Sequence, residues 1–89
     1  MIIKKEIVVK NKTGLHARPA ALFVQLANKF DSEITITKDE NEVNGKSIMG
    51  ILMLAAERGA KITIAADGDD AESAVKELSE ILLKDTDSL

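Results

Sequence analysis

The sequence predicts an α+β fold: a two-layer open-faced β-sandwich of order βαββαβα, with a four-stranded antiparallel sheet carrying three helices on one face. Three observations lead there. Short segments rich in Ile, Val and Thr alternate apolar and polar residues, most clearly at 33–38 (EITITK) and 61–65 (KITIA). That period of two belongs to strands with one buried and one solvated face. Other segments repeat apolar residues at helical spacing, so the helices should cover the buried face. The 89 residues, 45% hydrophobic and 30% charged, suffice for one core and one domain over 1–89, without a deep cleft between lobes.

Taken in order, residues 2–10 (IIKKEIVVK) read as a strand, and Lys12-Thr13-Gly14 as a turn. A helix is expected over 16–30. Ala20, Phe23, Val24 and Ala27 recur at its spacing, Leu22, Leu26 and Phe30 widen the stripe, and Pro19 sits early enough to cost no hydrogen bond. Residues 33–38 form a half-buried strand, Asp39-Glu40-Asn41 a turn, and Glu42-Val43-Asn44 a short returning strand. Asn44-Gly45 breaks the chain again. Ser47 then suits the N-cap of a helix over 48–56, with Gly59 near its exit. Residues 61–65 are the fourth strand, and Asp67-Gly68 turns the chain. Asp69, with Glu72 three residues on, resembles a capping box. Ala71, Ala74, Val75, Leu78, Ile81 and Leu82 make an amphipathic helix to about Lys84, and 85–89 read as a frayed tail.

Composition removes several functions. There is no cysteine, hence no disulfide or thiol chemistry, and one histidine cannot make an ordinary zinc site. No metal or other cofactor is expected. The longest apolar stretch, 48–56, is far short of the roughly 20 residues of a spanning helix. The N-terminus lacks a secretory core, so the chain reads as cytoplasmic. The net charge of -3 is uneven: residues 1–66 carry ten basic against seven acidic side chains, and 67–89 two against eight. Even so, the basic excess is small and Phe23 and Phe30 are the only aromatics, both on a helical apolar pattern. That argues against nucleic acid as a partner.

The residues able to do covalent chemistry lie in Gly14-Leu15-His16-Ala17-Arg18-Pro19-Ala20. His16 falls where turn becomes helix. A helix start leaves backbone N–H groups without partners and carries partial positive charge, which together bind phosphate. Ala17 and Arg18 can offer such N–H groups. Arg18 adds a planar guanidinium suited to phosphate oxygens. A neutral imidazole nitrogen is a competent nucleophile toward phosphorus, so the spacing supports a reversible phosphohistidine. An arbitrary His-x-Arg is more often a polar cap beside a solvated arginine. Here no second histidine or cysteine competes, and the local charge is basic in an acidic chain.

The second feature is Lys46-Ser47-Ile48-Met49-Gly50-Ile51-Leu52-Met53-Leu54. At helical spacing Ile48, Leu52 and Ala55 share one side, and Met49 and Met53 another. A short helix on a sheet cannot bury them all, so part should form an exposed apolar patch of the kind that meets partners. Any one of these residues could equally be core, and Ser47 could be a plain cap.

These two motifs, at this spacing and over essentially the whole chain, resemble HPr, the histidine-containing phosphocarrier family of the bacterial phosphoenolpyruvate-dependent sugar phosphotransferase system. The first motif matches the family's active-site signature and the second its regulatory-serine signature. The resemblance implies that His16 takes a phosphoryl group on Nδ1 from Enzyme I and passes it to a IIA domain, with Arg18 as the active-site arginine. It implies that Ser47 is the target of HPr kinase/phosphorylase, and that Ile48, Met49 and Leu52 belong to the docking patch. A monomeric carrier intermediate is expected rather than a stand-alone enzyme. The serine-only paralogue, which lacks the histidine, is excluded on this reading because His16 is present. Residues 51–56 also resemble the nitrogen-related branch, which would give a regulatory rather than a sugar-transport role. A different class, a β-α-β interaction module that leaves His16 unmodified, stays open.

Overall fold

The computed structural model describes residues 1–83, in seven elements: β1 (Ile2–Val8), α1 (Ala17–Ala27), β2 (Glu33–Lys38), β3 (Asn41–Asn44), α2 (Ile48–Leu54), β4 (Lys61–Asp67) and α3 (Ala71–Leu83). The expected end of the last helix at Lys84 and the tail at 85–89 lie outside the described residues. The expected βαββαβα order is the observed one. The sheet is antiparallel throughout and ordered β1-β4-β2-β3, so the last strand in sequence lies between the first two.

The register explains the two layers. Ile7 pairs with Ile62, and Ile64 with Ile36, so apolar residues line up on one face. That face buries Ile7, Ile34, Ile36, Ile62, Ile64 and Ala66. Against it α1 places Ala20, Phe23 and Ala27, α2 places Ile51 and Leu54, and α3 places Ala74, Val75, Leu78 and Leu82. Burying one such large side chain stabilises the fold by about 1.5–3 kcal/mol. The alternate residues Thr35, Thr37, Thr63 and Ala65 look outward and stay half-exposed. Among the described residues no helix is long and apolar enough to cross a membrane.

Three helix ends differ from the sequence expectation. α1 stops at Ala27 rather than Phe30. The N–H groups of Lys29 and Phe30 donate to the Leu26 and Ala27 carbonyls at 3.0 and 3.2 Å, a tighter three-residue turn, while Asn28 Nδ2 donates to Val24 O at 2.9 Å. α2 stops at Leu54 rather than Ala56, because Ala55 takes the left-handed conformation (φ 50°, ψ 43°). Gly59 is not its cap. With φ +91° it sits third in a turn closed by Ala60 N donating to Glu57 O at 2.9 Å, just before β4.

The third difference concerns α3. Its first acceptor is the Asp70 carbonyl, which takes Ala74 N at 2.9 Å, so the cap is Asp70 and not Asp69. The Asp70 carboxylate reaches instead to the loop between α1 and β2. It accepts from Asp31 N at 2.8 Å, from Ser32 N at 3.0 Å and from the Ser32 hydroxyl. The Ser32 hydroxyl above all, then the Asp31 N–H, hold this carboxyl below its ordinary value, because both favour the charged form.

Candidate functional site

The segment from Gly14 to Ala20 is anchored at both ends and exposed in the middle. Gly14, Leu15, Pro19 and Ala20 are buried, His16 is half-buried, and Ala17 and Arg18 are exposed. The anchor before His16 is tight. Gly14 N donates to Asn11 O at 3.1 Å, and Leu15 N donates to Ala56 O at 2.8 Å, which ties the turn to the exit of α2. Gly14 has φ +76°, and a Cβ there would lie 2.6 Å from Ala56 O and 2.9 Å from Glu57 Cα. Only glycine meets both conditions.

His16 caps α1 with its backbone. It is extended (φ -89°, ψ -166°), its carbonyl accepts Ala20 N at 3.0 Å, and its ring makes no capping bond to its own helix. The imidazole therefore stands at the helix start. The N–H groups of Ala17 and Arg18, in the first turn, have no intrahelical acceptor. Pro19 takes the next position, where it needs no donor. An anion beside His16 would meet two backbone donors, the positive end of α1 and the Arg18 guanidinium. Among the described residues no group of three or more His, Asp or Glu is placed to hold a metal ion.

Ser47 caps α2 as expected, its Oγ accepting from Gly50 N at 3.1 Å. The seven residues of α2 span about 10 Å. That length separates the serine from the exit bonded to Leu15, so Ser47 lies at one end of α2 and the turn that leads to His16 and Arg18 at the other. Between them the patch is real: Ile48 is 42% exposed and Met49 66%, while Leu52 is half-buried against the core. Met53, at 76%, is more exposed than any of the three docking residues expected from the sequence. Its i+4 spacing from Met49 was the available signal.

Two basic residues also sit differently from the simple count of charges. Lys46 Nζ donates to Phe30 O at 2.7 Å, so its ammonium serves the exit of α1 rather than an open surface. Arg58, not singled out by the sequence, is exposed in the turn that Gly14 packs against, its backbone N 3.3 Å from where a Gly14 Cβ would be. Like Lys10, Lys12 and Arg18, it is exposed.

A histidine at a helix start, with exposed apolar residues on the neighbouring helix, is an arrangement suited to a small protein that works by meeting other proteins. The family described as the phosphotransferase system HPr component phosphorylation site matches residues 3–84. The chain belongs to the HPr family, the phosphocarriers of that system. It is 50% identical over 84 residues to an HPr-like protein Crh of Halalkalibacterium halodurans, covering 94% of this chain and 100% of that one. A crystal structure of the phosphocarrier protein HPr from Bacillus anthracis superposes with a TM-score of 0.88 at 51% identity, covering 91% of this chain and 96% of that one. The crystal structure of Bacillus subtilis Crh, described as a dimer with a swapped domain, gives 0.74 at 45% identity, with 90% and 92% covered.

Proposed function

We propose that the chain is a cytoplasmic phosphocarrier that accepts a phosphoryl group on His16 from phosphorylated Enzyme I and passes it to a IIA domain. The observation that carries this reading is the placement of His16 at the start of α1 beside the Ala17 and Arg18 N–H groups. In the transfer, the lone pair of Nδ1 forms a bond to phosphorus as the bond from phosphorus to the donor atom breaks. The same exchange in reverse loads the acceptor, the P–Nδ1 bond breaking as the bond from phosphorus to the acceptor atom forms. The two N–H groups and Arg18 meet the charge on the phosphoryl oxygens in both directions. Ile48, Met49, Leu52 and Met53 form the face that both partners cover in turn. Ser47 is the regulatory site of HPr kinase/phosphorylase: a phosphate there would bring about -1.5 to -2 charge to the edge of that face.

Incubation with Enzyme I and phosphoenolpyruvate tests the reading by intact mass. An acid-labile gain of one phosphate that His16→Ala abolishes is the expected result, and Arg18→Ala should slow the gain by roughly 10- to 150-fold. No gain in the native chain would leave an interaction module. The similarity to a Crh protein supports a second, regulatory reading, in which an acid-stable phosphate on Ser47 is the working form. Labelling with the kinase and ATP, compared with phosphoenolpyruvate labelling, separates the two. A monomer is the proposed working state. Light scattering tests it against the swapped arrangement.

A further inference from the structure

We propose that Lys38 is a positioning residue for His16, acting through the exit of α2; the proposal rests on the phosphocarrier reading. Lys38 is the last residue of β2 and follows Ile34 and Ile36 on the face that carries the helices. It is half-buried, and its Nζ donates to Ala55 O at 3.3 Å and to Leu54 O at 3.5 Å. These are the last carbonyls of α2, which no intrahelical N–H can satisfy and which carry the negative end of the helix.

α2 has no basic residue of its own in its last turn, and it ends on an alanine in the left-handed conformation, which an L side chain adopts only under constraint. The ammonium from β2 supplies that constraint. The next carbonyl, Ala56 O, receives the N–H of Leu15, the residue before His16. Three consecutive carbonyls, at 54, 55 and 56, are thus held by one lysine and by the histidine turn. Release of the lysine frees Ala55 to leave its conformation. The acceptor for Leu15 moves with it, and so does the start of α1, where the imidazole and its two backbone donors must stay aligned on phosphorus.

The test compares Lys38→Met, which keeps an unbranched stem and removes the cation, with Lys38→Arg. Phosphotransfer from Enzyme I is measured at varied concentration of the chain, and amide exchange by NMR. For Lys38→Met we expect kcat to fall about tenfold with KM changed less than about twofold. The Leu15 amide should exchange about tenfold faster while Ile62 and Ile64 in β4 keep their protection. Lys38→Arg should restore both. Unchanged kcat with unchanged Leu15 protection overturns the proposal, and so does a loss of protection shared equally by Leu15 and β4, which would make Lys38 a general stabiliser. If the native chain accepts no phosphoryl group, the phosphocarrier reading fails by itself, and the contrast between Leu15 and β4 still decides whether Lys38 holds the turn.

Discussion

Gly14→Ala separates two kinds of strain because Gly59 provides its control. Both glycines have positive φ, +76° and +91°, so alanine at either carries the left-handed penalty of about 1 kcal/mol. They differ in surroundings. A Cβ at Gly59 meets nothing within 4 Å, whereas one at Gly14 would press on Ala56 O at 2.6 Å and Glu57 Cα at 2.9 Å. Both atoms are backbone and cannot swing aside, so the turn must separate from the α2 exit at a further cost of about 1–3 kcal/mol. Gly59→Ala should therefore lose about 1 kcal/mol and Gly14→Ala about 2–4 kcal/mol in urea unfolding, or roughly 10–25 °C in Tm for the latter. The same displacement pulls Ala56 O from Leu15 N, so phosphorylation of His16 should slow in Gly14→Ala and stay near the native rate in Gly59→Ala. Equal losses of stability in the two variants would refute the steric argument and leave only the backbone conformation.

Three further outcomes follow from the geometry. Ser47→Ala removes the acceptor of Gly50 N and should cost about 0.5–2 kcal/mol in unfolding, while Ser47→Asp keeps a cap and should hold stability but slow transfer from Enzyme I. Met49→Ala and Met53→Ala should weaken partner affinity in calorimetry with Tm unchanged, whereas Ile51→Ala, beneath them in the core, should cost about 2–5 kcal/mol of stability. Asp70→Asn should lower Tm at neutral pH. Because the folded pKa of Asp70 is depressed, the charged form contributes stability that is fully present above the ordinary value of 3.8 and is lost as pH falls through the lowered one. The Tm difference between native and Asp70→Asn should accordingly shrink in acid, and a difference that persists there would remove the carboxylate from the clamp.

Alternation and helical spacing made the elements legible because burial on one face is imposed residue by residue. Strand order was not, since the pairing of β1 with β4 depends on residues more than fifty positions apart. Helix ends failed where local chemistry was unmarked. The apolar stripe continues to Phe30 because a three-residue turn keeps the same side inward, and nothing about Ala55 announces a left-handed residue. Spacing to Glu72 favours Asp69 as the cap in sequence, but Asp70 takes that place, its carboxylate bonded to Asp31 and Ser32 across the fold. At the site, His16, Arg18 and Ser47 could be found because their residue types are chemically rare or position-specific. Met53 shared the spacing of Met49, but Lys38 reaches the α2 exit, and Arg58 the Gly14 turn, only by tertiary contact.

The placement of β4 between β1 and β2 also has a consequence for the chain as it is made. β1 leaves the ribosome before β4, its strand partner among the described residues, which follows about fifty residues later. At ordinary translation rates of about 5–20 residues per second, that is a wait of roughly 3–10 seconds. During that interval the apolar segment has an unpaired edge on both sides. Lys4, Lys5 and Glu6 lie in its middle, and Lys5 pairs with Ile64, on the side that will later face inward. A charge on that side penalises pairing with other apolar strands, the usual protection of an exposed edge. In the finished sheet β1 is an outer strand, where the ammonium of Lys5 still reaches solvent. The three charges thus guard the nascent strand at a position where the completed fold can tolerate them.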